Sequence, residues 1–461
     1  MHLVIRQAEI VNADGRTRGD VLVRGGHIVQ VADQVSPPAG EPLESIDAGG
    51  MLLLPGGLDP HVHMHLPTAA GFSSDDFVSG SRAALLGGTT TLIDFVTPRR
   101  GMSLTDALAA RLMEARRCHT DYSFHVSPVE WRDSTAAEIR DCIAAGLPSF
   151  KLYMAYKDSI GIDEEVMAKV MRTVAKEGGM VTVHCETGDE VDRLRRELAE
   201  SGQTGPASHP ESRPPHTESQ AVEKAIALCA QTACPVYIVH VSAAASIKHI
   251  RKAQSAGLPV MAEVCPHHLL LDESVYDAPF EQAAPFVLSP PLRSESDRNA
   301  LWGALADGTV EVVGTDHCPF FMEQKAAGRN DFRLIANGAG GVEHRLALIY
   351  THGVLEGRIS HERWVALCST GPARLFGLYP RKGRICRGAD ADMVLWDPHA
   401  SEIVSAARHH HRSDISIYEG MTLRGKARMV IKSGKVVVED GQQRRQPAGS
   451  FLRRKVPEKG Q

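Results

Sequence analysis

The first fifty residues run in short Val- and Ile-rich bursts cut by Asp-Gly and Gly-Gly pairs, a pattern that predicts strands over 3–11, 20–24 and 27–31. The far end repeats the pattern at 392–396 and 428–440. Neither end carries enough strands for a stable sheet of its own. The two ends are therefore expected to pair into one small β-sandwich domain, residues 1–52 with 379–461, divided in sequence by everything between.

That middle, residues 53–378, follows another rhythm. Eight short apolar runs (MLLLPGGLDPHVH, TTTLIDF, DYSFHV, SFKLYMAY, MVTVHCE, VYIVHVS, PVMAEVCPHH and VEVVGTDH) alternate with helix-like stretches such as 103–117, 163–177, 217–232, 243–256 and 294–306. Strands that alternate with helices imply a parallel sheet, and eight repeats imply an α/β fold closed into a TIM-like (β/α)₈ barrel. The turn-rich stretch 200–217 reads as a loop beside the barrel mouth. The histidine tract Arg408–Arg412 reads as a solvated surface loop in preference to a metal tract.

Where the runs end matters more than their number. The first ends in His61 and His63, the fourth contains Lys151, the fifth ends in His184, the sixth in His240 and the eighth in Asp316. Chemistry in this fold sits at the carboxyl ends of the strands. Four histidines, a lysine and an aspartate are thus expected at one mouth.

Composition removes several alternatives. The chain has 461 residues, long enough for a large barrel plus a satellite domain. A net charge of -5 gives no basic field for nucleic acid or an anionic membrane. No apolar run is long enough to span a bilayer, and the first residues, without a basic start or a cleavable apolar stretch, are not expected to act as a signal peptide. Nine cysteines, an odd number without CxxC spacing, point to free thiols in a reducing compartment, which places the expectation in the cytoplasm.

Each candidate has an ordinary reading beside the chemical one. His61 and His63 alternate by two along a strand, so both imidazoles face one side, where they could ligate a divalent metal such as zinc. Asp316 could be a turn or helix-capping residue, or a ligand that also moves protons. Lys151 lies within an apolar run, where a buried ammonium is costly. Either it snorkels to the strand end or its charge is chemically removed.

The segments PGGLDPHVHMHLP, GGTTTLIDF, SFKLYMAYK, VHCETGD, YIVHVSAA, LSPPLR, GTDHCPF and ANGAGGVEHR resemble the dihydropyrimidinase/D-hydantoinase family of the amidohydrolase superfamily. So does STGPARLFGLYPRKGRICRGADADMVLWDP at the return to the β-domain. The similarity runs in family order from about residue 50 to 440. The chain's length and the FLRRK stretch near its end resemble the bacterial phenylhydantoinase branch in particular.

The resemblance implies hydrolytic ring opening of small cyclic amides, 5,6-dihydropyrimidines or 5-substituted hydantoins, by a hydroxide shared between two divalent metals, with zinc the implied ion. It implies a CO₂-derived carbamate on Lys151 bridging the metals. His61, His63 and Asp316 would complete one metal's shell, and His184 and His240 the other's. Tyr156 would donate to the oxyanion, Asp316 would carry the proton to the leaving nitrogen, and Ser289 and Asn337 would hold the ring amide largely through backbone groups. A homo-oligomer, tetramer or dimer, is also implied.

The sequence departs from the family where His65 follows the histidine pair and where Ala336 precedes Asn337, and loops 64–76 and 96–102 match poorly. His65 is read as lining the substrate mouth. An allantoinase- or dihydroorotase-like enzyme is the nearer alternative, although a dihydroorotase would carry an arginine where His65 stands. A non-catalytic assembly homologue is the more distant one, although it would have no reason to keep all six ligand positions.

Overall fold

The computed structural model describes residues 2–36 and 42–456; residues 457–461 of the expected tail lie outside it. Eight strands form the barrel sheet: β1 (Gly57–Asp59), β2 (Thr89–Val96), β3 (Asp121–Val126), β4 (Ser149–Tyr153), β5 (Met180–His184), β6 (Val236–Ile238), β7 (Val260–Val264) and β8 (Val312–Val313). Their order in the sheet is their order in the chain, and every neighbouring pair is parallel. Strands β2 to β5 are buried along their whole length, as parallel strands covered on both faces must be.

The seam between β8 and β1 closes differently from the rest. A single bridge pairs Val62 with His317, and the backbone N–H of His63 donates to His317 O at 2.8 Å. The fully buried Arg345 guanidinium spans the seam, donating to Leu58 O on one side (2.9 Å) and Val313 O on the other (2.8 Å). The Thr315 hydroxyl donates to Asp59 at 2.6 Å.

The expected helices form at Leu104–Ala115, Glu164–Lys176, Pro215–Thr232, Ala244–Ser255 and Glu295–Asp307. Three of them start where a side chain satisfies a free backbone N–H: Ser103 accepts from Asp106, Asp163 from Val166 and Ser294 from Asp297. Glu164–Lys176 buries Met167, Val170, Met171 and Val174, the i, i+3, i+4, i+7 stripe of an amphipathic helix. Truncating one of them, Met171→Ala, would cost about 2–5 kcal/mol.

Both chain ends join one nine-stranded sheet, mostly antiparallel, in which Leu52–Pro55 lies between His2–Asn12 and Met393–Ile403. The first apolar run is therefore two strands, since Leu52–Pro55 belongs to this sheet and β1 to the barrel, with Gly56 between. A bulge at Arg6–Gln7, pinned by Asp20, lets His2–Arg6 pair with Leu43–Asp47 while Glu9 and Ile10 pair with Leu52 and Leu53. The sheet curls so that residues 388–391 bond both to Gly26 and Ile28 near one edge and to Gly434 nearer the other. Its core includes Leu3, Ile5, Val23, Leu53, Met393, Leu395 and Ile431.

Barrel and sheet are riveted together. Asp121 of β3 accepts from Lys382 (2.6 Å) and Lys432 (2.7 Å), and Lys382 also reaches Asp392 (2.6 Å), all buried. The histidine tract departs from its expected surface position. Arg408 and Arg412 are exposed and His409 and His410 half-buried, but His411 is buried, because its ring inserts between those of His317 and His344.

Candidate active site

Strand register sets the site. Lys151 lies opposite Thr182, and Tyr153 opposite His184, so β4 and β5 deliver their polar residues at adjoining levels. His61, His240 and Asp316 bring ligand atoms within 4.8 Å of one another. Asp316 Oδ1 lies 3.2 Å from Nε2 of His61 and 2.9 Å from Nε2 of His63. The two histidine rings stand 5.2 Å apart, and His63 stacks on Phe95 at 4.6 Å.

The second half of the cluster is as close. His184 Nδ1 and His240 Nε2 face each other at 3.0 Å. Two nitrogens on one tetrahedral zinc would stand about 3.3 Å apart, given Zn–N bonds of about 2.05 Å. The buried nitrogens His63 Nδ1 and His240 Nδ1 have no hydrogen-bond partner. Lys151 is 1% exposed, and its ammonium sits over the rings of Phe95 and Tyr153 at 5.0 and 5.1 Å. Burial lowers its pKa to about 8, with Asp316 partly opposing. Burial works against ionisation of Asp316 too, but His61 and His63 outweigh it and hold that carboxyl well below its usual range. The donor set of four imidazoles, a carboxylate and a partly neutral amine fits divalent cations.

Three of these positions have strained backbone. Tyr156 (φ 61°), His240 (φ 39°) and Asp316 (φ 50°) occupy the left-handed region, as does His65 (φ 50°). Such residues cost of order 1–3 kcal/mol each and cluster at functional sites. Asp316 lies three residues past the end of β8 and caps no helix.

The remaining candidates border this cluster. Tyr156 is half-buried, its ring 5.2 Å from that of His184 and beneath the Arg213 guanidinium at 5.4 Å. Burial pushes its hydroxyl pKa up, and the Ser289 side chain hydrogen-bonds with it. Ser289 Oγ donates to Asn337 Oδ1 at 2.8 Å. His65 stacks on the exposed Phe72 ring at 4.0 Å, in the segment that precedes a two-residue-strand hairpin.

Several residues in contact with this cluster escape a reading of run ends. Glu263, within β7, accepts from His61 Nδ1 (2.7 Å), the His240 N–H (3.1 Å) and the Tyr237 hydroxyl (2.9 Å). Glu186 accepts from His184 Nε2 at 2.7 Å and from Arg213. Arg213 and His209 come from the stretch expected to be a loop; the structure adds a short helix, Ser208–Glu211, and buries both side chains. The signal available for Glu263 was a carboxylate inside an apolar run, the same anomaly that marks Lys151.

A parallel barrel with these side chains at its mouth is the architecture of a metal-dependent hydrolase, and the sequence pattern of the amidohydrolase family matches residues 52–437. A D-hydantoinase from Ralstonia pickettii is 39% identical, covering 99% of both chains. A D-phenylhydantoinase from Escherichia coli is also 39% identical, covering 99% of this chain and 98% of its own. The crystal structure of dihydropyrimidinase from Brevibacillus agri superposes with a TM-score of 0.97 at 37% identity over the whole of both chains. This chain belongs to the D-hydantoinase/dihydropyrimidinase group of the amidohydrolase family, a family of enzymes typically built around two metal ions.

Proposed function

We propose that this enzyme opens the rings of 5-substituted hydantoins and 5,6-dihydropyrimidines by hydrolysis, giving N-carbamoyl amino acids. The observation behind this reading is the convergence of His61, His63, Lys151, His184, His240 and Asp316, with His184 and His240 nitrogens 3.0 Å apart and Asp316 against both His61 and His63. Those six side chains would hold two divalent cations of the zinc type, Lys151 as its carbamate. Only an unprotonated amine adds CO₂, and burial, by lowering the Lys151 pKa to about 8, makes a fraction of that form accessible near neutral pH. Bound cations would polarise a ring carbonyl and acidify water.

The chain's own groups do the rest. The Asp316 carboxylate, held ionised, takes the proton of the attacking water and returns it to the leaving ring nitrogen. The Tyr156 hydroxyl, kept protonated by burial, donates to the carbonyl oxygen as charge develops there. The side chains of Ser289 and Asn337 are bonded to each other, so the ring amide is held by the backbone of their two loops. His65 and Phe72 line the entrance and contact the exocyclic substituent.

All nine cysteines are free thiols, and no helix of the described residues is long and apolar enough to cross a membrane. A reducing, cytoplasmic setting and a homo-oligomer, tetramer or dimer, complete the reading; sizing chromatography measures the latter. The deciding experiment follows ring opening of dihydrouracil and 5-substituted hydantoins by protein prepared with zinc and bicarbonate, beside Lys151→Ala. Activity and bound metal lost together in the variant support the proposal. A parent protein that binds zinc but opens neither ring overturns the substrate assignment.

A further inference from the structure

Away from the six residues above, a second cluster gathers where the nine-stranded sheet meets the barrel. Glu343 and His344 follow the glycine-rich segment 338–341, and His411 comes from the long connection between Met393–Ile403 and Thr422–Lys432. We propose that Glu343, His344 and His411 form a further divalent-cation site that takes a zinc-type ion.

The ligand atoms of the three residues lie within 4.8 Å of one another, and His411 Nε2 is 3.5 Å from Glu343 Oε2. Nε2 of His344 and Nε2 of His411 are both buried without a hydrogen-bond partner. Buried polar atoms are nearly always paired, so two orphan nitrogens on the histidines of one such cluster need an explanation. Of the neighbouring histidines of the tract, His409 is bonded elsewhere and His410 holds Glu343 itself. His409 Nε2 donates to Ser413 O at 2.8 Å, and His410 Nδ1 donates to Glu343 Oε1 at 2.8 Å. The His410 backbone N–H donates to Glu343 Oε2 at 2.7 Å. Glu343 is therefore oriented from outside, as carboxylate ligands usually are. Two imidazoles and a carboxylate form a zinc-type donor set with a fourth position left for water.

Access and packing agree with this reading. A cleft of about 250 Å³, lined in part by Glu343, His344, Glu402 and His410, opens beside the cluster. The His411 ring fits only because residue 340 is glycine: a Cβ there would meet His411 Nδ1 at 2.5 Å. An ion here would cross-link the sheet's connection to the loop whose N–H groups, from Gly341 and Val342, bond to His317 Nδ1. His317 adjoins Asp316, so occupancy would stiffen the backbone behind the barrel mouth without sharing any ligand with it.

The test is zinc anomalous diffraction from crystals of the full chain grown with zinc at pH 8, for the parent and for His411→Leu. The parent is expected to show a peak among the side chains of Glu343, His344 and His411, separate from any at the barrel mouth, and His411→Leu to lose that peak alone. Zinc at the mouth with none here overturns the proposal, as does a peak that persists in His411→Leu. Zinc here with none at the mouth supports it while overturning the two-metal reading of the active site. A second measurement does not depend on crystals. Folded Lys151→Ala/His61→Ala protein should still retain zinc after desalting and lose it when His411→Leu is added; retention of none in the double variant overturns the proposal.

Discussion

His61 Nδ1 donates to Glu263 Oε1 at 2.7 Å, and that contact fixes which nitrogen of His61 faces Asp316. With its proton on Nδ1, His61 presents a bare Nε2 to a cation. The same carboxylate oxygen takes the His240 N–H, so one buried glutamate orients ligands from two strands. Glu263→Gln keeps the shape but cannot accept at every contact. It should weaken zinc affinity by about 10–100-fold, read by competition with a fluorescent chelator. Unchanged affinity would remove Glu263 from the positioning role.

Asp316 has two duties in the proposed reaction, as ligand and as proton carrier. Asp316→Asn can still place an oxygen near His61 and His63 but cannot move a proton. The expected result is a fall in kcat on the order of 10²–10⁴-fold, with part of the bound zinc retained. A kcat within a few-fold of the parent would assign the proton transfer elsewhere.

Acid sensitivity should trace to Glu186. Burial pushes its carboxyl up, but the Arg213 guanidinium and the His184 hydrogen bond win and hold it at about 2, against the ordinary 4.5. A carboxylate with a depressed folded-state pKa adds stability above its unfolded value and loses it as pH falls towards the folded one. The increment is about 3 kcal/mol by linkage and should disappear between pH 4.5 and 2. The gap in unfolding midpoint between the parent and Glu186→Gln should therefore narrow across that interval, measured by circular dichroism. A gap independent of pH would contradict this assignment.

Lys325 ties together the two loops that carry Ser289 and Asn337. Its buried ammonium donates to Val287 O at 3.1 Å and to Ala336 O at 2.9 Å, and burial brings its pKa down to about 7. Lys325→Met fills the space but releases both carbonyls. KM for the cyclic amide should rise several-fold while kcat changes less, since in the proposed reaction these loops would hold the ring and take no part in the proton transfer. A selective loss of kcat would point to a different role.

The barrel and its six converging residues were legible because parallel strands write themselves as continuous apolar runs, and polar residues at their ends stand out. What the pattern could not show is which sheet a strand joins. Leu52–Pro55 and β1 read as one run, yet only Gly56 separates membership of two sheets. Residues that act across long sequence distances were also hidden. Arg345 closes the seam from beyond β8, and Arg213 reaches Glu186 from a stretch whose composition suggested only a loop. For His411 a polar tract predicts solvent, whereas His317 and His344 offer it a buried berth.

The position of Leu52–Pro55 also bears on how the chain is made. Leu53 pairs with Leu395, about 340 residues later. At ribosomal speeds of about 5–20 residues per second, that strand emerges roughly 20–70 s before its partner. Throughout that interval the nascent sheet has an open hydrophobic edge while the barrel is still being synthesised behind it. The last strands to appear act as a clasp, and a ribosome stalled before residue 393 would release a product with that sticky edge uncovered, a natural substrate for chaperones.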